Sequence, residues 1–328
     1  MFLLAAAGVT VWVLVNNGDE LVAAVDNLGR VDAGWLVLAM ALEVVSYVAY
    51  AAGEQVLLRE VDAAVGLVPL TELTVAAQAA AYCIPGGVAV TGVVTYRVLR
   101  RFRVEPGPTV AVLFVLSVLY IAALAVLALA AAPLAGSQNV LPELAPISYG
   151  VLGVGALLAG VAWLLRRRGL LARAGRRVGP AMEAFARRAG VEADDSSGPW
   201  SAHISGLTFR PSAVLASGLL MVVCWLGDAL CLALCFYAVG SSPPWEGLLL
   251  IYAAAQLAAT LPITPGGLGV IEGSLTVGLV AFGGAEAATL SAVLLYRLIS
   301  FWGLLPTGGL AYLRVRRGLR RAAALEAG

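Results

Sequence analysis

Polar residues along this chain come in short bursts between long apolar runs. The runs 1–15, 35–58, 109–132, 148–165, 212–240 and 286–313 carry few charges and read as six spanning helices. A helix needs roughly 20 apolar residues to cross a hydrocarbon core about 30 Å thick. Two further apolar runs are interrupted. The run 67–99 is broken by Ile84-Pro-Gly-Gly87, and the run 246–282 by Leu261-Pro-Ile-Thr-Pro-Gly-Gly-Leu-Gly-Val-Ile-Glu272. Proline removes a backbone donor, and glycine makes helix costly. In hydrocarbon, broken backbone is tolerated only where protein buries it or where it lines a cavity. Both interruptions are therefore candidates for the working parts of the molecule.

Composition fixes the class. The chain is 61% hydrophobic and 12% charged, with a mean hydropathy of +0.91. A soluble domain is closer to half apolar and a quarter charged. Met1 to Val15 lacks a basic start and a clear cleavage site, so it reads as a first membrane helix rather than a signal peptide. Cys83, Cys224, Cys231 and Cys235 all fall in apolar segments and read as small buried hydrophobes. The single histidine, His203, lies in a polar loop, and no Cys/His spacing fits a metal. No metal site, no cofactor and no nucleic-acid partner is expected.

Charge distribution then sets orientation. All 21 basic residues are arginine, which reads as compositional bias rather than functional choice. They cluster at 97–103, 166–188 and 314–321, and by the positive-inside rule these segments face the cytoplasm. The loops at 16–34, 133–147 and 241–245 face outward, and both termini are cytoplasmic, in the cell membrane. With those constraints 67–99 must enter and return on the cytoplasmic side, and 246–282 on the outer side. The arms 88–99 and 268–282 would rise only about 18 and 22 Å, too short to cross comfortably. The expected fold is a single all-α polytopic membrane domain, with six spanning helices plus two re-entrant helical hairpins in an inverted-topology repeat. Repeat 1 covers about 35–132 and repeat 2 about 212–313. A spanning helix and basic loop at 148–211 lie between them, and a basic tail occupies 314–328. Secondary transporters of this plan bind substrate near the midplane, between the repeats.

A re-entrant tip leaves helix N-termini inside the bilayer, where unpaired N–H groups and the dipole attract anions. This makes Pro85, Gly86, Gly87, Pro265, Gly266 and Gly267 candidate substrate-binding positions. Ionisable residues at membrane depth are functional candidates by default. Glu272 and Arg297 could pair, with Arg297 meeting an anionic headgroup and Glu272 balancing it or taking a proton; a static buried ion pair is the structural alternative. Arg97 reads equally as an interfacial anchor or a headgroup contact. Glu43, Gln78, Asp228 and Gln256 are weaker candidates, with Glu54 and Glu72 behind them.

The residues Pro265-Gly-Gly-Leu-Gly-Val-Ile-Glu272, followed by Leu295-Tyr-Arg-Leu-Ile-Ser-Phe301, resemble the signature of the lysylphosphatidylglycerol synthase transmembrane family, also called flippase-like. Ile84-Pro-Gly-Gly87 and Tyr96-Arg-Val-Leu-Arg-Arg101 fit the first half, so the resemblance covers essentially the whole chain. It implies a stand-alone lipid translocase, with the Pro-Gly-Gly motifs, Arg97, Glu272, Tyr296 and Arg297 as site residues. The lipid would be a phospholipid or aminoacylated phosphatidylglycerol, or alternatively a polyprenyl-phosphate-linked sugar. The chain runs only fifteen residues beyond Leu313, so no aminoacyl-transferase domain is expected in it. Thr91 and Gly92 stand where many relatives carry an acid after the first break, which makes the halves unequal.

A membrane enzyme is the rival class, disfavoured because no membrane histidine is present and Asp228 has no evident intramembrane acid partner. A non-transporting scaffold for a separate lipid-modifying enzyme is the other reading, and a homo-oligomer is left open. On the transport reading, Arg297→Ala or Glu272→Ala is expected to abolish translocation with the fold intact.

Overall fold

Helix boundaries follow from local chemistry. The computed structural model describes residues 31–83, 87–101, 104–135, 209–259 and 264–326. The expected helix 1–15, the span 148–165 and the arginine loop with His203 lie outside these residues, as do Pro85 and Gly86. Helix α1 (Ala33–Arg59) starts where the Asp32 carboxylate accepts the N–H groups of Gly34 at 2.7 Å and Trp35 at 3.3 Å. Helix α2 (Leu67–Tyr82) follows Gly66 and is succeeded by α3 (Gly87–Arg101) and α4 (Pro106–Ala135). Pro211 opens α5 (Pro211–Ala238) at a position where its missing N–H costs nothing. Then come α6 (Trp245–Ala259), a tight turn at Pro265–Gly267, and α7 (Val270–Ala281). Helix α8 (Glu286–Arg297) passes through a wide π turn, Leu298–Trp302, into α9 (Leu304–Glu326). The sequence reads 286–313 as one uniform helix; the extra residue in the π turn lies immediately after Arg297.

Among the described residues the fold is all helical, and four helices are long and apolar enough to span a membrane: Ala33–Arg59, Gly107–Ala132, Pro211–Ala238 and Glu286–Arg317. Polarity is distributed accordingly. Glu54 is 1% exposed and Arg297 3%, whereas Val44 is 60% and Val277 70%. Charge inside and large apolar side chains outside is the order expected when lipid, not water, surrounds the bundle.

Helices α1 and α5 form the most extensive contact. Small residues allow it. A Cβ on Gly227 would lie 3.1 Å from the Leu42 carbonyl and 3.3 Å from Ser46 Cβ. A Cβ on Gly53 would strike Met221. Without a hydrophobic force between helices in lipid, such close backbone approach is a main source of association. Around this pair the packing is reciprocal: α2 lies on α3 and α9, while α6 lies on α7 and α4.

Helix ends meet in consistent sets. The Asp32 N–H donates to the Ala238 carbonyl at 2.8 Å, joining the start of α1 to the end of α5. At the other end, Arg210 pairs with Glu60 at 3.3 Å. Arg314 pairs with Glu72 at 3.5 Å, so Glu72 belongs to a surface pair on α2. Helices α6 and α7 run antiparallel, since Gly247 lies against Phe282 and Gly278 against Ile251. Their lengths of 15 and 12 residues correspond to about 22 and 18 Å. Cys224, Cys231 and Cys235 are buried as expected, but Cys83 is exposed at the C-terminal cap of α2.

Gly227→Leu should force α1 from α5 and lower the thermal midpoint of the detergent-solubilised protein, because overpacking costs about 1–3 kcal/mol. Leu219→Ala, on the 58% exposed outer face of the same helix, should leave the midpoint nearly unchanged.

Candidate functional site

The second break is built from glycines that no other residue replaces. Gly266, Gly267 and Gly269 have φ of +58°, +68° and +81°, in the left-handed region. A Cβ on Gly266 would collide with the Phe301 ring, and one on Gly267 would lie 2.9 Å from Ile271 Cδ1. The turn thus brings its backbone closer to α8–α9 than any side chain would permit.

Breaking the helix frees polar backbone groups, and two charged side chains take them up. Glu272 Oε2 accepts the Gly269 N–H at 2.7 Å. Arg297 Nη2 donates to the Gly266 carbonyl at 3.0 Å. The two side chains then join, Arg297 Nε donating to Glu272 Oε1 at 2.6 Å. This modifies the expectation of a bare, anion-attracting helix end: the first turn of α7 already holds its own carboxylate. The reason is spacing, since Glu272 is three residues beyond Gly269 and reaches back to its N–H.

Aromatic packing closes the other side. The Arg297 guanidinium lies 4.6 Å from the Phe301 ring centroid, one turn along the same helix. Phe301 stacks on Tyr82 with centroids 5.0 Å apart and planes at 24°. Gln78 hydrogen-bonds Tyr82. Tyr82 ends α2, so the approach to the first break is joined to the second through Phe301. Among the described residues Thr264 Oγ1 and Ser300 Oγ, on the segments flanking the turn and Arg297, are buried hydroxyls without hydrogen-bond partners.

A second polar cluster lies one residue from Arg297. Asp228 Oδ2 accepts from the Tyr252 hydroxyl, from Tyr296 OH at 3.1 Å and from Gln256 Nε2 at 3.2 Å. Gln256 Nε2 also reaches Tyr296 OH at 3.2 Å. Glu43, 7% exposed on α1, turns its carboxyl toward Asp228, which supplies the acid neighbour that the sequence gives no sign of. Helices α1, α5, α6 and α8 thus meet in one polar network.

The structure therefore joins Gly266, Glu272 and Arg297, and beside them Glu43, Asp228, Gln256 and Tyr296. Gly267 shapes the same turn, and Pro265 opens it. Arg97 is separate in character: it is exposed on α3 while Arg297 is buried, although each follows a buried tyrosine. Tyr252, Phe301, Thr264 and Ser300 were not singled out from the sequence. Tyr252 lies four residues before Gln256, on the same face of α6, and that spacing could have found it.

Long apolar helices whose charged side chains point inward, around a broken segment, define a helical multi-pass membrane protein. The chain belongs to the family described as lysylphosphatidylglycerol synthase TM region, whose model matches residues 2–308. It is also similar to two proteins named UPF0104 membrane protein from Methanothermobacter thermautotrophicus. One is 49% identical over 63 residues, covering 19% of this chain and 18% of the relative. The other is 33% identical over 92 residues, covering 28% of each.

Removing either member of a buried ion pair strands the other, at about 3–5 kcal/mol. Glu272→Ala or Arg297→Ala should therefore lower the thermal midpoint sharply, contrary to the expectation of an intact fold. The double variant Glu272→Leu/Arg297→Met should recover only part of the loss, because it removes the stranded charge but leaves the Gly266 carbonyl and the Gly269 N–H without these partners, as thermal unfolding in detergent would report.

Proposed function

We propose that this chain is a lipid translocase that passes an anionic headgroup along the broken segment 264–272 while the acyl tails stay in the bilayer. The observation that carries this reading is Arg297, 3% exposed and held against the glycine turn at 3.0 Å in a bundle with apolar outer faces. A guanidinium has five N–H donors. Two are engaged by Glu272 and Gly266 among the described residues. The others, with the hydroxyls of Thr264 and Ser300, offer donors to phosphate oxygens. Glycine at 269, which has open space beside it, lets an oxygen approach the backbone closely. The family described by its synthase TM region makes a phospholipid or aminoacylated phosphatidylglycerol the first substrate to test, and a polyprenyl-phosphate-linked sugar the second.

The reading includes an inverted repeat of α1–α4 and α5–α9, with α2–α3 and α6–α7 as hairpins entering from the cytoplasmic and outer sides. Its support is the reciprocal packing of α2 on α9 and α6 on α4, about the α1–α5 pair. The short antiparallel α6 and α7, returning to a common end, support it too. Cytoplasmic termini in the cell membrane complete the orientation. In this reading the protein moves lipid and catalyses no covalent step. The closed Glu272–Arg297 pair favours the scaffold alternative to the extent that it stays closed when lipid is present.

The test is translocation of fluorescent phosphatidylglycerol in proteoliposomes, read by quenching of the outer leaflet. Arg297→Lys keeps the charge but loses the fork that joins Glu272 and Gly266, and should slow translocation at least about tenfold, the effect of about 1.4 kcal/mol. Unchanged rates for Arg297→Lys and Glu272→Gln, with wild type active, would sink the assignment of the path. An inactive wild type with each proposed lipid would favour the scaffold.

A further inference from the structure

The acid pair behind Tyr296 is not used by the lipid path. Asp228 spends only one of its oxygens on Tyr252, Tyr296 and Gln256. Its other oxygen, Oδ1, and Glu43 Oε2 are both buried with no hydrogen-bond donor among the described residues. Glu43 is 7% exposed and its carboxyl faces Asp228. Two buried acceptors on adjoining carboxyls, each without a donor, each bear the cost of an unmade hydrogen bond. Two carboxylates so placed also repel strongly in a low-dielectric interior. One proton shared by the two carboxyls relieves the repulsion and turns one acceptor of the pair into a donor.

We infer that Glu43 and Asp228 form a proton-binding site whose occupancy is coupled to anionic headgroup binding at Arg297. The coupling rests on the proposed translocase function, whereas the proton site does not.

Other groups around the pair leave it this role. Within electrostatic reach of it are Tyr47 from α1, Tyr82 from α2, Tyr120 from α4, Cys224, Cys231 and Cys235 from α5, Tyr252 from α6, and Tyr296 and Arg297 from α8. Of these only the arginine is ordinarily charged at neutral pH. The described residues bring no third acid, cysteine or histidine into a metal-holding group there, and a proton needs only the two acceptors.

The path to the lipid site is short. Tyr296 donates to Asp228 at 3.1 Å, and the next residue, Arg297, holds the turn. A proton on the pair removes one negative charge near Arg297, which favours an anion there. By linkage the bound anion favours the proton equally. Proton and anionic headgroup therefore bind together, and a proton gradient drives the lipid in the proton's direction. The proton enters and leaves the carboxyl pair without a covalent step.

Two measurements on the full-length protein test this. Infrared difference spectra across pH should show the C=O stretch of a protonated carboxyl, shifted in heavy water, that is lost in Glu43→Gln and in Asp228→Asn. Absence of the band overturns the site, as does its persistence in both variants or its loss in Glu54→Gln, which removes another buried acid. Absence of the band from wild type overturns the site even where a variant fails to fold, and Glu54→Gln separates out the signal of the other buried acid. In phosphatidylglycerol vesicles with fluorescent phosphatidylglycerol, a gradient of about one pH unit should shift the label between leaflets by up to about tenfold. A protonophore should abolish the shift. In Glu43→Gln, whose amide supplies the missing donor permanently, translocation should ignore the gradient. Active wild type that ignores the gradient, or follows sodium instead, overturns the coupling. A wild type that moves no lipid overturns the translocase reading and the coupling with it, and the infrared band still judges the proton site.

Discussion

A helix broken between apolar segments must find partners for its freed backbone groups, and in this protein a single ion pair supplies two of them. Arg297 takes the Gly266 carbonyl, Glu272 takes the Gly269 N–H, and the 2.6 Å contact between them ties α7 to α8. Each charge is tolerable in the interior only because the other is present, and the turn is tolerable only because both are. Glycine is required on the same account. A side chain at 266 would displace Phe301, and with it the ring beneath Arg297. The Pro-Gly-Gly turn, the acid three residues past Gly269 and the distant arginine therefore form one unit.

Small residues place that unit. Close approach of α1 and α5 at Gly53 and Gly227 fixes the centre of the bundle, and α1 and α5 contribute Glu43 and Asp228 to one polar network. Tyr296 joins this network to the turn through its neighbour Arg297. The π turn at Leu298–Trp302 adds a residue just past Arg297, next to where Phe301 meets Tyr82. Apolar side chains then cover the outside, where they cost nothing against lipid.

Much of this was legible in the residues. Length and polarity identify the long helices, because a spanning helix has to be long and apolar wherever it sits. The turn at 265–267 announces itself because proline and glycine have local consequences that no neighbour reverses. Glu272 and Arg297 stand out because isolated charge in an apolar run requires an explanation. The unread parts are those that depend on partners distant in sequence. Nothing near Asp228 signals that Glu43, 185 residues earlier, faces it. Phe301 looks like any core aromatic until the turn folds against it. Arg97 and Arg297 follow tyrosines alike, yet one is exposed and the other buried, because burial depends on the surrounding helices rather than on the motif.

The same geometry limits how an anion could use this site. With Glu272 in place the turn carries no net charge, so a phosphate arriving there would find donors on Arg297 but no net positive charge to balance its own. Pulling Arg297 away from Glu272 would leave a carboxylate in the interior, at a cost of several kcal/mol. A positive charge delivered nearby lowers that cost without breaking the pair. The Glu43–Asp228 carboxyls are where the described helices can accept one, since they hold unsatisfied acceptors and adjoin Arg297 through Tyr296. An ion pair that holds a broken helix and a second, unsatisfied acid pair behind it are thus complementary. The first makes the turn stable in lipid, and the second lets its charge balance change.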